Sequence, residues 1–226
     1  MNVLYIGLAR AIRLFDISTI NPLGRDLDQT LKRLAARYNF GSFPKNIADT
    51  AERKGWVFKG GGFDSPRGVK VLVTVSLYTD GFVADTMSDT DDSTAFLDDL
   101  MLWLNREEGL EKPLNVRNGF LSQLVFQAST SLSFVNPLVP GFTHRIADLS
   151  QPADQIRRHF ELGALNFWTA DTAQLGAPAQ FKVERKIGAP FEDNQYFSQA
   201  GMETARHIQL LSELESILGQ GGQRND

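Results

Sequence analysis

The chain has 226 residues, 42% of them hydrophobic and 22% charged, which is apolar enough for a sizeable core and excludes disorder for most of its length. Its 23 Lys and Arg against 27 Asp and Glu leave a net charge of −4, which disfavours wholesale electrostatic coating of nucleic acid or an anionic membrane. There is no cysteine, so disulfides, thiol nucleophiles and zinc–thiolate sites are excluded, and the composition fits a reducing, cytoplasmic setting.

Residues 3 to 15 alternate as a strand, with Leu4, Ile6, Leu8, Ile12 and Leu14 largely on one parity and Arg10 and Arg13 expected at solvent, although Leu-Ala-Arg-Ala-Ile-Arg-Leu also suits a helix. The arginines interrupt the apolar run, so neither a bilayer span, which needs about 20 apolar residues, nor a secretory signal is expected. Leu27, Leu31, Leu34, Ala35 and Tyr38 then recur at helical spacing and predict a helix over 27–38. Residues 40 to 54 hold Gly41 and Pro44 and read as a long connection. Strands follow at 56–63, 69–77 and 82–86, the last two joined by Tyr78-Thr79-Asp80-Gly81, where Asp-Gly signals a hairpin.

A helix over 92–105, capped by Asp91 or Asp92, is predicted from the stripe Phe96, Leu97, Leu100, Met101 and Leu104. Beyond it come a long strand at 120–134 and a short helix opened by Ser150-Gln151-Pro152 and running to His159. Strands are expected at 162–169, 180–187 and 195–198, then a long helix over 202–218. After Leu218 no apolar residue remains, and 219–226 reads as a flexible tail. Together these predict a single α+β domain over 1–218, its mainly antiparallel sheet covered by helices. It can be divided into halves 1–110 and 115–218 of loosely shared βαβββα order, each with an Asn-Pro-Leu after its first strand.

Between Asp80 and Asp99 seven aspartates occur without one Lys or Arg. Crowded carboxylates suit a hard cation, Mg²⁺ or Ca²⁺, so Asp85, Asp89, Asp91 and Asp92 are the candidate metal ligands, with Lys59 to steady a developing charge. The spacing is not that of an EF-hand, and acidic residues also collect at helix starts for electrostatic reasons alone. Lys59-Gly60-Gly61-Gly62 precedes a strand, so a bulge or close backbone approach explains its glycines better than a phosphate loop. His144, His159 and His207 lack metal-ligand spacing, while His144-Arg145 and Arg157-Arg158-His159 are able to hold an anion.

Charge is uneven along the chain. Residues 1 to 70 carry 12 basic and 6 acidic side chains, a balance of +6, and residues 71 to 110 carry one basic and nine acidic, a balance of −8. Arg25, Lys32, Arg33 and Arg37 supply a basic helix face, and Leu211 and Leu214 belong to an apolar face on the last helix too wide for solvent. With no catalytic signature matched, the sequence favours a non-catalytic interaction or assembly subunit without cofactor, partnered by a second copy or another protein. A Mg- or Ca-dependent phosphoester hydrolase built on the Asp80 to Asp92 cluster is the alternative. Nucleic-acid binding through the basic helix 27–38 is a lesser one.

Overall fold

The computed structural model describes residues 1–24, 26–45, 55–136, 139–150, 158–168 and 181–222. The elements in chain order are β1 (Asn2–Leu14), α1 (Asp28–Arg37), β2 (Trp56–Asp64), β3 (Lys70–Tyr78), β4 (Gly81–Thr86), α2 (Thr90–Arg106), β5 (Arg117–Gln127), α3 (Val139–Leu149), β6 (Ala164–Phe167), β7 (Phe181–Arg185), β8 (Gln195–Ala200) and α4 (Thr204–Gly222). This is the expected α+β class, and the order βαβββα occurs twice, interrupted by short 3₁₀ turns. The eight strands form one sheet in the order β2-β3-β4-β1-β5-β8-β7-β6, so the second set of four mirrors the first. The pairings β1–β4, β2–β3, β3–β4, β6–β7 and β7–β8 are antiparallel.

The chain divides into two compact units, one made of Met1–Tyr5, Gln123–Ala200 and Ala205–Asp226, the other of Ile6–Ser122 and Gly201–Thr204. β1 and β5 contribute residues to both.

In the second of these, alternation sets which strand residues enter the core. Val71, Val73, Val75 and Leu77 of β3 and Phe82 and Ala84 of β4 are buried, together with Leu31, Leu34 and Ala35 of α1 and Phe96, Leu97 and Leu100 of α2. β1 departs from what its side-chain sizes suggest. Ala9 and Ala11 are the fully buried residues, whereas Ile6, Leu8, Ile12 and Leu14 point to the other sheet face and are half-buried. Small residues are required on the inner face because α2 packs close: the Ser93 hydroxyl donates to the carbonyl of Ala9 at 2.7 Å. Neither arginine of β1 simply faces water, because each is held by an aspartate.

The hairpin forms where Asp-Gly placed it, but the glycine acts differently. Thr79 and Asp80 make the turn, and Gly81 begins β4 opposite Leu14 at φ 145°, where a Cβ would lie 2.1 Å from the Arg13 carbonyl oxygen. The triple glycine of β2 is the expected bulge. The register shifts between Phe58 and Gly61, Gly60 takes φ 71°, and a Cβ on Gly61 would enter the Phe40 ring.

Several boundaries differ from expectation. The strand expected at 120–134 is β5, beginning at Arg117 and ending at Gln127, with a 3₁₀ turn over Leu132–Val135 where Ser131 accepts from the Ser133 amide. The helix placed at 150–159 is preceded by one the sequence reading did not place, α3. Its Val-Pro-Gly start resembles a loop, but proline is tolerated in a first helical turn. Residues 151–157, Thr169 and Gln180 of the expected strands, and Pro137-Leu138 of the second Asn-Pro-Leu lie outside the described residues. The last helix extends to Gly222, four residues beyond its expected end.

In the other unit, Leu124 and Phe126 of β5, Val183 of β7 and Tyr196 of β8 are buried with Leu211 and Leu218 of α4. The Tyr196 hydroxyl accepts from the Leu132 amide at 3.2 Å, tying the 3₁₀ turn to β8.

Candidate functional site

The acidic segment is not gathered around one point. Asp85 lies opposite Arg10 on β1 and receives two hydrogen bonds from its guanidinium, at 2.6 and 2.8 Å. Asp89, not Asp91 or Asp92, is the N-cap of α2: its backbone is extended and its carboxylate accepts from the Asp91 amide at 2.9 Å. Asp91 occupies the first turn, and its carboxyl is shifted upward by loss of solvent and by the neighbouring charge of Asp89.

Asp92 is buried, 1% exposed, and accepts from the Ser65 hydroxyl at 2.5 Å, the Ser88 hydroxyl at 2.7 Å and the Arg67 guanidinium. Burial alone would raise its pKa, but the hydrogen bonds from Ser65, Ser88 and Arg67 and the charge of Arg67 together hold it below the usual carboxylate range. Among the described residues, no group of three or more His, Asp or Glu is arranged to hold a metal ion. Asp92 instead anchors the start of α2 to the β2–β3 turn. Ser65 and Arg67 carry no sequence signal for this role, being more than twenty residues away with no local periodicity to connect them.

The basic face is likewise taken up internally. Arg33 pairs with Glu108, and Arg37 reaches Asp99 at 3.2 Å and Glu107 at 3.6 Å while lying over the Trp103 ring. Lys32 is exposed, and Arg25 lies outside the described residues. Adding Arg10–Asp85, Arg13–Asp98 at 2.8 Å and Arg67–Asp92, each of these pairs joins the basic first 70 residues to the acidic stretch 71–110. Five basic side chains of the first segment are thus paired with the acidic stretch inside one unit, so the two oppositely charged segments interleave there.

On α4 the two leucines expected to make contacts part company. Leu211 is 1% exposed and is buried with His207 and Leu218, at helical spacing along one line. Leu214 is half-buried and stands between Leu210, 37% exposed, and Ile217, 62% exposed. These three, spaced i, i+4, i+7, make an apolar stripe beside the buried one. His207 on the inner line is fully buried, its Nε2 lies 2.8 Å from the Ser198 hydroxyl, and burial lowers its pKa to about 4. The Ser198 hydroxyl also donates to the Lys182 carbonyl at 2.8 Å, which leaves it to accept from His207 Nε2, and the lowered pKa keeps the imidazole neutral.

A second apolar feature lies in the other unit, where a cleft of about 360 Å³ runs between Met101 and Leu102 of α2 and the segment Lys112, Pro113 and Val116. The Arg13–Asp98 pair sits on its wall. Among the described residues, no helix is long and apolar enough to cross a membrane.

No protein-family model matches the chain, and no curated protein matches it. Among solved structures the chain is similar to Methanococcus jannaschii TBP, at 9% identity and a TM-score of 0.43, covering 97% of this chain and 99% of that one.

Proposed function

We propose that the protein is a non-catalytic interaction subunit that assembles with a second copy or another protein through the outer stripe of α4. The observation that supports this reading is the row Leu210, Leu214 and Ile217, apolar side chains left at the surface of a helix whose inner line is already filled by His207, Leu211 and Leu218. Contiguous exposed apolar surface of this kind favours association because covering it removes about 25 cal/mol per Å² from contact with water. No catalytic template is needed for that role, and a cysteine-free chain suits a reducing compartment such as the cytoplasm.

The test is mass against concentration. Light scattering should give a mass above the 25.1 kDa of one chain as concentration rises, or a pull-down from native extract should recover a defined partner. The double variant Leu210→Glu, Ile217→Glu should abolish whichever is seen while melting as the parent does. A monomer at every concentration, with no partner recovered, would overturn the reading.

A further inference from the structure

We propose that the cleft between α2 and residues 112–116 is a binding site for a small organic acid, a carboxylate carried on an aromatic or branched aliphatic body. Its decisive residue is Arg13. On β1 this residue shares the parity of the inward Ala9 and Ala11, so the strand carries it to the α2 side of the sheet and not out to water. The side chain is only 14% exposed, yet among the described residues its guanidinium makes a single hydrogen bond, from Nη2 to Asp98 at 2.8 Å. A guanidinium has five N–H donors, and one acceptor that is itself 64% exposed compensates a largely buried cation poorly. Donors are therefore left for a second carboxylate at the stretch of cleft wall that Arg13 forms.

The rest of the wall selects the body of the ligand. The cleft holds about 360 Å³, at the small end of the range for ligand sites, and Phe15, Met101, Leu102, Pro113 and Val116 make most of its lining. Leu102 and Val116 stay 41% and 38% exposed, apolar surface that a ring or a branched chain would cover. Lys112 is exposed and makes no ion pair among the described residues, so with Arg13 it sets two cations against the one acid, Asp98. That balance selects against an amine and for a singly charged anion. A phosphate monoester, doubly charged and more heavily hydrated, loses more on entering a wall with five apolar residues than a carboxylate does.

The probe is benzoate, added to the full chain while the four methionine methyl groups are followed by NMR. Met101 should shift saturably, and Met87, 75% exposed and outside the cleft, should not. Benzamide, neutral and of the same shape, should bind about tenfold or more weaker, the loss of a charged hydrogen bond. Arg13→Gln should weaken benzoate by a similar factor and benzamide hardly at all, a contrast that separates a lost contact from a lost fold. Asp98→Asn, at an exposed position on α2, removes the competing charge and should tighten benzoate, which keeps the test decisive if the arginine variant does not fold. Equal binding of benzoate and benzamide, or benzoate binding left unchanged by either folded variant, would overturn the proposal. So would shifts that sodium chloride reproduces at equal ionic strength, or tighter binding of phenyl phosphate than of benzoate. A Met101 shift that follows protein concentration with no benzoate present would overturn it as well, by marking the cleft as a contact between copies.

Discussion

At the scale of single residues, buried polar groups set the sharpest expectations. Asp92 is enclosed with Ser65 and Ser88 as donors, and Asp92→Ala leaves those hydroxyls and Arg67 without their acceptor. The Arg67 side chain is about half exposed and regains hydration, so the expected loss is about 2 kcal/mol, below that of a fully buried pair, read from the urea midpoint. His207 makes a pH prediction whose sign follows from its depressed pKa. The folded state keeps the ring neutral down to about pH 4, while the unfolded chain protonates it near 6.5, so stability is full above 6.5 and falls as pH drops from 6.5 to 4. The shift corresponds to about 3 kcal/mol. His207→Leu should remove that slope, since Ser198 keeps its bond to Lys182, and urea unfolding at pH 7 and pH 4.5 would measure the difference.

At the scale of elements, α4 separates two leucines three positions apart, a rotation of about 60° around the helix axis. Leu211→Asp should cost about 3 kcal/mol or more, because it places an unpaired charge at a 1% exposed position. Leu214→Asp, on the half-buried stripe, should cost about 1 kcal/mol or less and act instead on assembly. Thermal melting combined with light scattering distinguishes the two effects. In the β3–β4 hairpin, Gly81→Ala brings a methyl against the Arg13 carbonyl at a φ that L-residues rarely adopt, and a loss above about 2 kcal/mol is expected from the melting temperature. The Asp-Gly signal located this hairpin correctly because turns are local chemistry. The neighbour that makes the glycine necessary is β1, more than sixty residues earlier, and no local rule could name it.

At the scale of the whole molecule, charge is decided by pairing. A sequence with +6 in its first 70 residues and −8 in the next 40 invites a picture of opposite poles. In the fold, Arg10, Arg13, Arg33, Arg37 and Arg67 each meet an acid from that second stretch. Because α1 turns Arg33 and Arg37 toward Glu108, Asp99 and Glu107, duplex DNA should show no salt-dependent gel shift attributable to these arginines. A shift abolished by Arg33→Ala with Arg37→Ala would contradict this.

By itself the sequence determined the α+β class, the existence of most elements, the hairpin, the bulge at the glycines and the amphipathic helices, since each depends on periodicity or turn chemistry within about fifteen residues. Only the tertiary structure decided which face of β1 enters the core, because that choice depends on how closely α2 approaches and not on side-chain size. It also decided that Asp92 is an anchor for Ser65 and Arg67, that Leu211 is core while Leu214 is surface, and that Arg13 and Lys112 share one cleft. In each case the partner is distant in the chain, and a contact between distant residues has no local period from which to read it.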